Sequence, residues 1–185
     1  MILNDRAQFE LAVRLRSGGA PIGDLFSFVS GLYFRGKIAY SSAFAEPPEG
    51  VPATLVITPD RGLVPPETSI TLDEFRAMAA VPVDLAEERY RKPLISAAFD
   101  LERQAGADCA FVLLGSIATP KYVEPFLNVF GNRLLFPAQF VGRGDMSRGG
   151  LLLRCAQNGA ELEYAPVRGA VRRGARPPKL PKLIR

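Results

Sequence analysis

The run Cys109-Ala110-Phe111-Val112-Leu113-Leu114 constrains the fold more than any other part of the chain. Such a continuous apolar run predicts a buried strand at the centre of a sheet. It stops at Gly115-Ser116, and Thr119-Pro120 then supplies an N-cap and a first-turn proline for a helix over 121–130, which Gly131 ends. Residues 133–136 return as a second short strand.

The remaining pattern extends this alternation. Phe9, Ala12, Val13 and Leu15 recur at helical spacing in a first helix over 5–16, with Asn4 or Asp5 as its cap and Gly18-Gly19 as its stop. Residues 21–44 read as a short helix, a turn at Ser30-Gly31 and a second helix over 35–45. The β-branched run 53–58 reads as a buried strand between prolines. Thr71-Leu72-Asp73-Glu74 and Asp84-Leu85-Ala86-Glu87 fit capping boxes. They predict a short helix to Ala79 and a long one to Gln104 that Pro93 kinks. A helix over 151–157 and an edge strand over 161–164 complete the series. Strands alternating with helices predict a Rossmann-like, three-layer α/β/α sandwich with a small, mainly parallel central sheet. It would form one domain over 1–165, followed by an extended, basic, proline-rich tail over 166–185.

Composition enters through chemistry. The chain has no histidine, which excludes Ser-His-Asp and Cys-His nucleophile systems and every imidazole relay. Its two cysteines, Cys109 and Cys155, lack the spacing of a zinc or dithiol site, so neither a metal nor a cofactor is expected. The net charge of +4 is unevenly placed: 166–185 carries seven of the 23 basic residues and none of the 19 acidic ones, which leaves the body at −3. No twenty-residue apolar run is present, and MILNDRAQFE lacks the basic-then-apolar pattern of a signal peptide. A cytoplasmic protein without membrane contact is the expectation.

In an open parallel sheet, ligands bind beyond the carboxyl ends of the strands. Three glycine-containing turns are expected there. After the second strand run, Gly115 and Ser116 precede a helix N-terminus whose amides, with Lys121 in its first turn, suit an anion. In the stretch 142–150, four glycines accompany Arg143, Ser147 and Arg148, which can hold phosphate, and Asp145, which can cap a helix or serve as a general base. Asp60 is the other candidate acid/base, with Arg61 beside it as a ligand contact. Tyr33, Arg35 and Lys37 combine an aromatic ring with cations at a glycine turn, which suits a stacked base with a nearby phosphate. Each cluster also has a structural explanation: a tight turn, a cap with locally paired arginines, a helix–helix corner.

The order of motifs resembles a group of uncharacterised bacterial and phage α/β proteins distantly related to the peroxide-stress YaaA proteins. The matching residues are Leu32-Tyr33, the turn 58–65 with Gly62-Leu63-Val64-Pro65, Leu114-Gly115, Tyr122, Pro137 and the stretch 142–150. The resemblance covers about 30–155 and implies a three-layer α/β fold with a link to nucleic-acid or nucleotide metabolism. It supplies no catalytic residue.

These readings converge on a protein that binds a nucleotide or other phosphate-bearing ligand at the strand ends, as a hydrolase, a transferase or a binder. The alternatives are a nucleic-acid-binding module that uses 168–185, and a protein-interaction domain. A homodimer is compatible with each.

Overall fold

The computed structural model describes residues 2–178 and residue 180. The first helix, α1 (Glu10–Ser17), begins later than the apolar spacing predicts. Asn4 accepts the Arg6 amide on its side chain (2.9 Å) and the Ala7 amide on its carbonyl (3.0 Å), so the chain turns there instead of starting a helix. Strand β1 (Ala20–Pro21) leads into α2 (Ile22–Phe44), whose backbone breaks at Gly31 (φ 61°, ψ −135°) at the expected turn. The helix resumes directly after the break rather than at Arg35.

Strands β2 (Val56–Ile57) and β3 (Leu63–Val64) form an antiparallel hairpin with Val56 opposite Val64. The run 53–58 is therefore not part of a parallel sheet. Its turn is satisfied locally: the Gly62 carbonyl accepts the Thr58 amide (2.8 Å) and hydroxyl (3.0 Å), and the Thr58 hydroxyl accepts the Arg61 amide (3.0 Å). Strand β4 (Ser69–Ile70) pairs antiparallel with β1. Next, α3 (Leu72–Ala79) opens with the predicted capping box, in which Glu74 accepts the Thr71 amide at 2.7 Å and Thr71 accepts the Glu74 amide at 3.3 Å. The second predicted box does not form. Asp84 closes a turn on the Ala86 amide (2.8 Å), and Glu87 caps α4 (Glu88–Ala105) by accepting the Arg89 amide (3.1 Å). Pro93 lies within this continuous helix.

Strand β5 (Phe111–Val112), helix α5 (Pro120–Phe130) and strand β6 (Leu134–Pro137) make one βαβ unit, with Phe111 opposite Leu134 in parallel register. Thr119 and Pro120 occupy the N-cap and first positions of α5, and Gly131 ends it. After a 3₁₀ turn at Ala138–Phe140, α6 (Asp145–Asn158) leads to β7 (Tyr164–Pro166), which pairs antiparallel with β6.

The fold is thus mixed α/β, but its ladders are split among three small sheets with a single parallel pair among the described residues. In the order β5-β6-β7, the run 109–114 provides an edge strand, not a central one, and Val112 is 39% exposed. Leu113, Leu134 and Phe136 are buried on one face of this sheet, while Val112 and its neighbour Leu135 lie on the other. Apolar packing forms two clusters that share α2. Phe34 belongs to the one with α1 and α3, and Tyr33 and Tyr40 to the one with α4, α5, α6 and the β5-β6-β7 sheet.

Beyond β7, Val167 is buried and donates its amide to the Leu134 carbonyl (2.9 Å). Residues 168–178 then run without helix or strand across the domain's own surface, where Arg172 reaches the Ile117 carbonyl (3.4 Å) and Arg143 the Pro178 carbonyl (3.5 Å). Three of the tail's basic residues, Lys179, Lys182 and Arg185, lie outside the described residues. Among the described residues, no helix is long and apolar enough to cross a membrane.

Candidate functional site

The second half of α2 and the first half of α6 cross at unusually close range. A Cβ on Gly149 would stand 2.7 Å from the Tyr33 Cα, and one on Gly36 would stand 2.7 Å from the Gly149 carbonyl oxygen. Only glycine admits this approach, and it explains why 145–150, expected as a loop, is helical. The helix cost of Gly149 is offset by contact between the backbones, a compensation that Gly150 lacks. Gly144 is the N-cap of α6, so Asp145 is its first residue, placed favourably at the positive end of the helix dipole.

This crossing brings Tyr33 and Lys37 from α2 to Asp145 and Arg148 from α6. Arg148 is buried. Its guanidinium donates to the Phe140 carbonyl from Nε (3.3 Å) and from a terminal nitrogen (3.1 Å), lies 5.2 Å from the centre of the Phe140 ring, and pairs with Asp145 at 3.9 Å. The Tyr33 hydroxyl donates to the carbonyls of Leu114 (2.8 Å) and Gly115 (3.1 Å). The cluster thus stands beyond the carboxyl ends of the parallel pair, Leu114 and Gly115 following β5 and Phe140 following β6.

Lys37 is half-buried over aromatic faces, its ammonium 4.4 Å from the Tyr33 ring centre and 5.3 Å from that of Phe34. Neither an ion pair nor a hydrogen bond joins this ammonium to another described residue, which sets it apart from Arg148. Burial pushes the Lys37 amine below its ordinary range; the negative charge of Asp145 opposes this and the positive charge of Arg148 adds to it. Burial pushes the Tyr33 phenol up to about 12, against the downward pull of Arg148, so it stays a neutral donor at neutral pH. Tyr122, on α5, is raised by burial and then by Asp145.

The structure therefore brings together Tyr33, Lys37, Gly115, Asp145 and Arg148. It does not bring in the rest. Gly115 meets the cluster through its carbonyl, which accepts from Tyr33, and the Ser116 hydroxyl is engaged with that of Thr119 at 2.6 Å inside the turn. Lys121 extends its ammonium over the Tyr122 ring at 5.4 Å. Arg143 is held by the Gln139 carbonyl (3.0 Å), the Ser147 hydroxyl (3.2 Å) and the tail, so Arg143 and Ser147 serve the tail contact. Asp60 and Arg61 pair with each other at 3.7 Å in the hairpin turn, and Arg61 reaches Glu74 of α3 at 3.1 Å. Arg35 lines a groove with residues of α1. Phe140, which sequence reasoning missed, anchors Arg148 through its carbonyl and its ring. Its position directly after the second strand of the βαβ unit was the available signal. No group of three or more His, Cys, Asp or Glu residues suited to a metal ion occurs among the described residues.

Chemically, the cluster offers one cation, Arg148, locked by its carbonyl contacts and one, Lys37, whose only partners among the described residues are aromatic rings. It also offers an exposed carboxylate and aromatic faces. The chain matches no family model, no curated protein and no solved structure.

Proposed function

We propose that the protein binds a phosphate-bearing ligand, of which a nucleotide is the best-suited class, at the Lys37–Arg148 cluster. The observation that carries this reading is the Lys37 ammonium, which lies beside a buried arginine yet has no carboxylate or carbonyl partner among the described residues. A cation drawn below its ordinary pKa is restored when an anion arrives, so binding and protonation support each other. The half-buried Tyr122 ring supplies apolar surface for a base or sugar, and the exposed Asp145 is the cluster's carboxylate for proton exchange in a hydrolase or transferase reaction. The resemblance to the YaaA group and a cytoplasmic setting belong to the same proposal.

The test is calorimetric titration with pyrophosphate, ADP and ATP. Lys37→Gln removes a charge-assisted contact of about 1.5–3 kcal/mol, so affinity falls about tenfold or more. Asp145→Asn removes a repelling charge from an exposed position, so affinity rises. If no phosphate compound binds the parent chain, or Lys37→Gln binds as the parent does, the reading fails.

A second reading, nucleic-acid binding by the tail, draws on the exposure of Arg168, Arg173 and Arg176. It requires DNA or RNA affinity that falls steeply with salt and is lost when these three become glutamine.

A further inference from the structure

Arg35 and several of the large apolar side chains left on the surface belong to a different part of the molecule. Among the described residues, the exposed large apolar side chains include Leu3, Phe9, Val13, Phe28 and Val29, all on α1, the segment before it and the first half of α2. Phe9 and Phe28 stack with ring centres 4.9 Å apart and planes inclined by 15°, which joins the start of α1 to the first half of α2 in an exposed apolar ridge. Beside the ridge runs an open groove of about 510 Å³ lined by Leu11, Phe28 and Gly31, with Glu10, Asp24, Arg14 and Arg35 as its charged lining residues. Val29, 61% exposed, protrudes next to the break in α2.

Charge decides what fits here. Arg14 and Asp24 pair with each other across the two helices at 3.5 Å, which leaves Glu10 and Arg35, both exposed and without an ion pair among the described residues. The groove has no net charge, so it gives a polyanion or an anionic membrane no electrostatic preference. One unpaired group of each sign lets the surface meet itself under a two-fold axis, with Glu10 of each copy turned toward Arg35 of the other. A second copy also brings a matching ridge and groove, which satisfies the exposed apolar area on both sides at once.

We propose that α1 and the first half of α2 form an isologous dimer interface, with the Phe28–Val29 corner of one copy seated at the groove of the other. The experiment is sedimentation velocity of the full chain from 2 to 200 µM, with Val29→Glu and Val13→Glu as variants; both positions are exposed in the monomer. The expected result is a concentration-dependent dimer in the parent. Its dissociation constant should rise at least tenfold in each variant, with thermal unfolding of the dilute monomer unchanged. A parent that sediments as a monomer across the range overturns the proposal, as does a dimer that both variants leave intact. If one variant fails to fold, the other decides.

Discussion

Replacing Gly149 by alanine tests how the site is built. Two effects of opposite sign compete. Alanine is preferred over glycine in a helix by about 1 kcal/mol, so the change would stabilise α6 if space allowed. Space does not allow it: the new Cβ would stand 2.7 Å from the Tyr33 Cα and 2.9 Å from the Leu32 carbonyl carbon and oxygen, all backbone atoms that no rotamer change can move. Carbon–carbon contacts are comfortable near 3.5–4.0 Å, so α2 and α6 must separate by roughly 1 Å. Overpacking of this kind costs about 1–3 kcal/mol, and backbone against backbone belongs at the upper end. The net loss is then about 2 kcal/mol, or a fall in Tm of about 4–8 °C for a chain of this size. Gly150 provides the internal control. It lies in the same helix, but its Cβ would meet nothing nearer than the Leu180 side chain at 3.8 Å, so Gly150→Ala should raise Tm by about 2–4 °C. Thermal and urea unfolding followed by circular dichroism read both signs, and phosphate titration should show weaker binding only in Gly149→Ala. A Gly149→Ala protein as stable as the parent, or equal losses in both variants, would refute the close-approach argument.

Lys37→Met should raise stability at pH 7. The folded-state pKa of Lys37 lies below its ordinary 10.5, so the folded protein holds fewer protons there, and the advantage of the variant should shrink as pH rises toward 10.5 in urea titrations. Tyr33, raised to about 12, has the opposite sign: its contribution is present below pH 10 and is lost as pH climbs toward 12, and Tyr33→Phe should flatten that fall. Gly142→Ala would place a Cβ 2.0 Å from the Ala175 carbonyl oxygen at φ 74°, so it should cost at least ~1 kcal/mol. Limited trypsin digestion should then cut faster after Arg172 and Arg173, while the Arg176–Pro177 bond resists trypsin in both proteins. Thr71→Ala should lower stability by about 1 kcal/mol through loss of the capping box, measured by urea unfolding.

What could be read from the chain was local. Thr71 and Glu74 lie within one helical turn of each other, so their mutual cap needs no tertiary information. Thr119-Pro120 and Gly131 bracket α5 for the same reason. Strand order was not legible: 109–114 is apolar enough for a central strand, yet β7 takes the other side of β6, and that choice depends on pairing across distant sequence. The start of α6 was hidden because propensity counts Gly149 and Gly150 against a helix, while the compensating contact comes from Tyr33 on another element. The candidate site divides the same way. Residue types such as Tyr33, Lys37, Asp145 and Arg148 stood out by composition. Neither their meeting at one point nor the separation of Asp60, Arg61 and Arg35 from them follows from spacing.

The crossing of α2 and α6 also sets the timing of biosynthesis. Lys37 and Arg148 are 111 positions apart, so at ~5–20 residues/s the two emerge from the ribosome roughly 5–20 s apart. Through that interval the Gly36 face of α2 lacks the Gly149 backbone that packs on it, whereas Leu114 and Gly115, which accept from the Tyr33 hydroxyl, are made before Arg148. Arg148 therefore joins the Lys37 side of the cluster last.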